Sequence, residues 1–172
     1  MMNIRKGIIA TLILLLSFGL TNFTYAGSGK DPVEKRLQRL EDIQAIKTLL
    51  IRYGRNLDSQ NIEAYSKLFA EDGTWTGGMG SATGPAAIRK MVEDGIAQMK
   101  PGIFDHAFHI MSSMDIQVDG DTATAWSRWT WVIAGEDGKP HTERAGHYED
   151  TLVRVNGEWK FKSRHAFSEV NN

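Results

Sequence analysis

The 172-residue chain has no cysteine. That excludes disulfides, thiolate nucleophiles, cysteine-ligated zinc and cysteine-linked lipid anchors. Net charge is almost absent too, with 20 Lys+Arg against 21 Asp+Glu. Nucleic-acid binders usually carry a basic excess, so no nucleic-acid partner is expected. No apolar run reaches the roughly 20 residues that a membrane span needs. The glycine-rich stretch Gly77-Gly78-Met79-Gly80 lacks a following Lys-Ser/Thr, and the chain has no GxSxG elbow and no HExxH helix. Phosphate-loop, serine-hydrolase and zinc-protease chemistry therefore have no sequence support.

The N-terminus carries an address. Arg5 and Lys6 precede an apolar run from Gly7 to Leu20, and Thr24-Tyr25-Ala26 offers small residues at the −3 and −1 positions of a cleavage site. Residues 1–26 read as a signal peptide. The expected location is the periplasm or the medium, with no stable membrane insertion after cleavage. Residues 27–32 form a linker, and 33–170 are long enough for one domain with a sizeable core.

Asp31-Pro32 suits a helix start. Val33, Leu37, Leu40, Ile43, Ile46, Leu50 and Tyr53 then recur at helical spacing, predicting a helix that ends near Leu57-Asp58. A second helix is expected from about Asn61 to Ala70. Asp72-Gly73 should turn the chain into a short strand at Thr74–Thr76, 77–84 should be a loop, and Pro85 should open a third helix to about Gln98. Beyond Lys100-Pro101-Gly102 the period becomes that of strands: Phe104–Val118, Thr122–Ala134, His141–Val155 and Glu158–Ser168, with turn signals at Asp119-Gly120 and Asn156-Gly157. This order predicts an α+β domain, with helices on one side of a curved antiparallel sheet.

Few residues here are suited to chemistry. Asp58, at a helix end, is either a solvated cap or a carboxylate beside a cavity that orients an imidazole. His106 and His109 are three apart. In an extended strand they face opposite ways, so only one can reach a cavity unless the strand begins between them. Asp105 and His109 share a face, but no third ligand is evident and no metal is expected. A neutral imidazole, with an ordinary pKa of about 6.5, can act as a base near neutral pH. Strict alternation puts Arg164 on the solvent face with Lys160 and Lys162; an inward Arg164 requires a bulge after Lys162. Tyr148, Asp150 and Leu152 share one strand face, and Arg128 is another possible cavity charge. Phe69 and the tryptophans, Trp75 and Trp129 among them, suit an apolar pocket wall. Trp126, or the Trp129–Trp131 pair on the opposite face, suits an interface.

The mature chain resembles the SnoaL-like branch of the nuclear transport factor 2-like superfamily. The stretches that carry this are RLEDIQAIKTLLIRYGRNLDSQNIEAYSKLFAEDGTW, TGPAAIRKMV, FDHAFHIMSSMDIQVDGDTATAWSRW and GHYEDTLVRVNGEWKFKSR. The resemblance implies a cone of curved, antiparallel or mixed sheet closed by three helices around a deep apolar cavity. It implies a cofactor-free lyase or isomerase acting on a small apolar molecule, as in scytalone dehydratase, hexachlorocyclohexane dehydrochlorinase and bile-acid 7α-dehydratase. Carried over by motif position, His109 (with His106 as the alternative) is the base and Asp58 orients it, while Tyr53 and Arg164 assist. Phe69, Trp75, His106, Trp129 and Tyr148 are substrate-contact candidates. A homo-oligomer, dimer or trimer, is the expected assembly. A non-catalytic binding module with the same cavity is the competing expectation.

Overall fold

The computed structural model describes residues 32–171. The expected signal peptide and all of the linker except Pro32 lie outside this range. Three helices, α1 (Pro32–Asp58), α2 (Ile62–Ser66) and α3 (Pro85–Ala97), accompany six strands: β1 (Phe69–Gly77), β2 (Gly80–Thr83), β3 (Ala107–Asp119), β4 (Thr122–Ala134), β5 (Pro140–Val155) and β6 (Glu158–Asn171). They form one curved, mixed sheet in the order β2-β1-β6-β5-β4-β3, in which only the β1–β6 pair is parallel. The α+β architecture is the expected one. Among the described residues, no helix is long and apolar enough to cross a membrane.

The hairpins follow from their turn residues. Asn156 (φ 51°) and Gly157 (φ 85°) both have positive φ, the combination that matches a two-residue turn to strand twist. The 77–84 segment is not the expected open loop. Gly78 and Met79 form a tight turn between β1 and β2, with Gly77 opposite Gly80. β2 is four residues of small side chains, too short to leave an alternating apolar pattern. α2 ends earlier than expected because Phe69 already begins β1. Asp72-Gly73 is an irregularity inside β1 rather than a turn. A Cβ on Gly73 would lie 2.6 Å from the Phe161 carbonyl oxygen, so only glycine lets the two strands approach there. Ile103–His106 is a short 3₁₀ turn, and β3 begins only at Ala107.

The helices lie against one face of the sheet. α1 packs mainly on β3, through a buried side carrying Ile46, Leu49, Leu50 and Tyr53. The expected apolar stripe is not buried along its whole length. Residues 32–41 are exposed, Leu37 and Leu40 included, and packing begins at Asp42. Ile88 and Val92 of α3, with Tyr65, Phe69, Leu152 and Phe161, complete the core.

Two polar groups organise this core. Asp42 accepts hydrogen bonds from Trp159 Nε1 (3.3 Å) and Gln38 Nε2 (3.2 Å), and its Oδ1 lies 2.8 Å from Arg154 Nη2. Burial pushes its carboxyl up, but the Arg154, Trp159 and Gln38 hydrogen bonds outweigh that and hold it below the usual carboxylate range. The second group is Arg164, fully buried and bound to both oxygens of Asp150 at 2.7 Å. Its guanidinium carbon sits 4.0 Å from the ring centroids of Tyr53 and Tyr148 and 4.2 Å from that of Phe161. Arg164 faces inward because β6 bulges at Lys162: Leu152 pairs with Phe161, but Thr151 already pairs with Ser163. That is the bulge an inward Arg164 requires. Burial lifts the Asp150 carboxyl above its ordinary range while Arg164 pulls it back down, and the pair holds the guanidinium charged.

Asp150→Asn should destabilise the protein by ~3–5 kcal/mol in urea unfolding, because it leaves a buried cation uncompensated. The double change Asp150→Leu with Arg164→Met should recover most of that loss. Asp42 has a folded-state pKa below its usual 3.8, so its charge stabilises fully above that value and progressively less as pH falls through the lower folded value. The stability gap between the wild type and Asp42→Asn should therefore be open at pH 7 and narrow below about pH 4.

Candidate active site

The last turn of α1 and the start of β3 meet at Asp58 and His109. Asp58 Oδ1 lies 2.5 Å from His109 Nδ1, and Oδ2 accepts the backbone N–H of His109 at 2.9 Å. The two oxygens thus hold both the ring and the strand that carries it. A carboxylate only accepts, so Nδ1 carries a proton, and in the neutral imidazole Nε2 then keeps the lone pair. The His109 side chain is 9% exposed and that of Asp58 19%. Trp131 stacks on the imidazole at 6.0 Å, and Trp129 is tilted against it at 6.4 Å.

β3 is the source of this placement. The strand begins between the two histidines, so His106 ends the 3₁₀ turn and is exposed, while His109 faces inward. α1 lies against β3 at Gly54, where an added Cβ would be in ordinary van der Waals contact with His109 Cβ at 3.5 Å.

His109 opens onto a cavity of about 150 Å³ whose wall includes Tyr53, Leu57, Trp75, Val92, Phe104, Trp129, Trp131, Tyr148 and Ala166. Most of this lining is apolar, and the polar atoms are few. Tyr53 Oη accepts from Tyr65 Oη (3.0 Å) and Trp75 Nε1 (2.9 Å), which leaves its own hydrogen for another acceptor. Burial, with Tyr53 alongside, holds the Tyr65 and Tyr148 phenols well above their usual range, so both stay protonated. Trp131 Nε1 is buried without a hydrogen-bond partner. Gly146 of β5 leaves room for the Trp129 ring: a Cβ there would lie 3.1 Å from Trp129 Cζ2 and 1.8 Å from the Phe167 carbonyl oxygen.

The structure brings together Asp58, His109, Tyr53, Trp75, Trp129 and Tyr148. Other candidates stand elsewhere. Phe69 lies behind the cavity, packed on Tyr65 and Phe161. Arg164 is inward but does not line the cavity, and its charge is met by Asp150. Arg128 is on the outer face, 2.8 Å from Glu169. Trp129 and Trp131 face the cavity, and only Trp126 looks outward, stacked on His147. Met79, Met99, Phe104 and Arg144 were not anticipated in the site. Met79, Met99 and Phe104 come from turns, where periodicity carries no signal, and Arg144 lies within β5. Among the described residues, no group of three or more His, Asp or Glu side chains is placed to hold a metal ion.

The SnoaL-like domain family matches residues 38–165. A nuclear transport factor 2-like protein with a cystatin-like fold from Novosphingobium aromaticivorans is 27% identical, with a TM-score of 0.72 over 84% of this chain and 94% of that one. A provisional scytalone dehydratase from the same organism is 28% identical, with a TM-score of 0.64 over 77% and 87%. A Mycobacterium tuberculosis protein of unknown function shares the fold at 23% identity and a TM-score of 0.69, over 83% of this chain and 78% of that one. Comparison with curated proteins produced no match. With the family matched across most of its length, the chain belongs to the SnoaL-like domain family.

Proposed function

We propose that the chain is an exported, cofactor-independent lyase or isomerase. It would remove a proton from a small, largely apolar molecule, leading to dehydration, elimination or isomerisation. The observation that carries this reading is the Asp58–His109 pair at the wall of an apolar cavity. Similarity to a provisional scytalone dehydratase supports the dehydration arm.

His109 Nε2 takes the proton. Asp58 keeps the ring in the productive tautomer and stabilises the imidazolium that forms. Tyr53, already accepting two hydrogen bonds, donates its own to the oxygen on which negative charge builds. Apolar walls strengthen both interactions by excluding water.

A binding module using the same cavity is the second reading. It is favoured by one fact: the Arg164 cation is neutralised by Asp150 and does not line the cavity. The proposal also includes a homodimer through the outer face of the sheet. There Trp126, His147 and Phe167 stack in a row, with Arg128 over Trp126, and Phe108 and Ile110 are about half exposed on β3.

Proton abstraction can be read without a leaving group, as deuterium uptake from D₂O into cyclic ketones small enough for the cavity, or as turnover of an identified substrate. Asp58→Asn and His109→Ala should each lower the rate by ~10²–10⁴ while far-UV dichroism stays unchanged. Undiminished activity in both variants would remove the dyad mechanism, and ligand binding without any exchange would favour the binding module. For assembly, light scattering should give a dimer for the wild type and a monomer for Trp126→Glu. A monomeric wild type would end that part of the proposal.

A further inference from the structure

The inner chamber is small. A cavity of about 150 Å³ accommodates one six-membered ring and little more. Four residues of its wall, Gly78, Met79, Met99 and Arg144, also line an outer groove of about 860 Å³ between the β1–β2 hairpin and α3. These four stand between the two spaces, and a ligand that reached both would pass them as a neck. Met79, at the hairpin tip, packs onto Gly95 of α3, where an added Cβ would lie 2.9 Å from its sulfur. A flexible thioether at that point yields to a ligand more readily than a branched side chain would.

Three of the neck residues are apolar or glycine; the fourth is a cation. Arg144 is exposed, on the same face of β5 as Gly146 and Tyr148, and among the described residues no carboxylate forms an ion pair with it. The other cation of the groove, Lys90, is already paired with Asp94 at 2.7 Å. A guanidinium is always charged, and its planar fork fits a carboxylate.

We infer that the molecule taken by this site is longer than the chamber: a ring-sized apolar head seated beside His109, and a short arm through the neck ending in a carboxylate on Arg144. This rests on the cavity being the small-molecule site of the proposed function, and it adds the substrate class.

The test uses two probes with the same ring and chain length, 4-phenylbutyrate, which ends in a carboxylate, and 4-phenylbutan-1-ol, which ends in a neutral hydroxyl. Each is titrated into the purified protein and followed by tryptophan fluorescence, since Trp75, Trp129 and Trp131 line the chamber. The wild type should bind the carboxylate about fivefold more tightly than the alcohol, as expected for an ion pair near the surface. Added salt should erode that preference alone. Arg144→Gln should abolish the preference without changing the alcohol's affinity, and Arg144→Lys should keep part of it. Equal binding of the two probes by the wild type, or equal weakening of both by Arg144→Gln, would overturn the inference and leave the cavity reading standing. If neither probe binds, the cavity reading falls with it.

Discussion

A buried guanidinium can persist only if its charge and its flat faces are both satisfied, and that requirement sets the interior of this domain. Asp150 supplies the charge, and Tyr53, Tyr148 and Phe161 cover the faces. Tyr53 belongs to α1, so its contact with Arg164 helps fix how that helix is turned against the sheet. Five residues further on, the same helix ends at Asp58, facing His109. The proposed catalytic geometry is thus held at two points of one helix. One is an ion pair deep in the sheet, and the other is a carboxylate gripping both the ring and the backbone of its histidine.

This gives Arg164 a role different from the one its motif position suggested. The resemblance implies a side chain that assists the reaction, but here it is fully buried, bidentate and outside the cavity wall. In the proposed reaction its contribution would run through Tyr53, a residue of the chamber wall whose hydroxyl accepts from Tyr65 and Trp75. For that proposal the effect would be preorganisation, with the hydroxyl in place before a substrate arrives.

The large elements were legible in the sequence because their signals are periodic and repeated. α1, α3 and the three long strands after β3 follow from spacing and from the two glycine turns. What escaped has local causes. β2 is too short and too small in side chain to show a period, and residues 103–106 lie in a 3₁₀ turn that apolar content alone does not separate from a strand. The inward side of His109 depended on where β3 begins, and that of Arg164 on one extra residue at Lys162. A one-residue shift inverts every side chain beyond it. Alternation could therefore state the condition for an inward Arg164 but not whether the bulge was there. The buried stretch of α1 was overestimated because a helical stripe reads the same whether or not a sheet lies beneath it.

Gly146 has a consequence for how such a chamber can diversify. No side chain of any size fits at that position, since even a methyl would drive into the main chain of β6 and the edge of Trp129. The floor is closed to tuning by substitution there, in whichever direction selection pushes. Room for a different appetite lies at the doorway instead, in the side chains of Met79, Met99 and Arg144, none of which is fully buried.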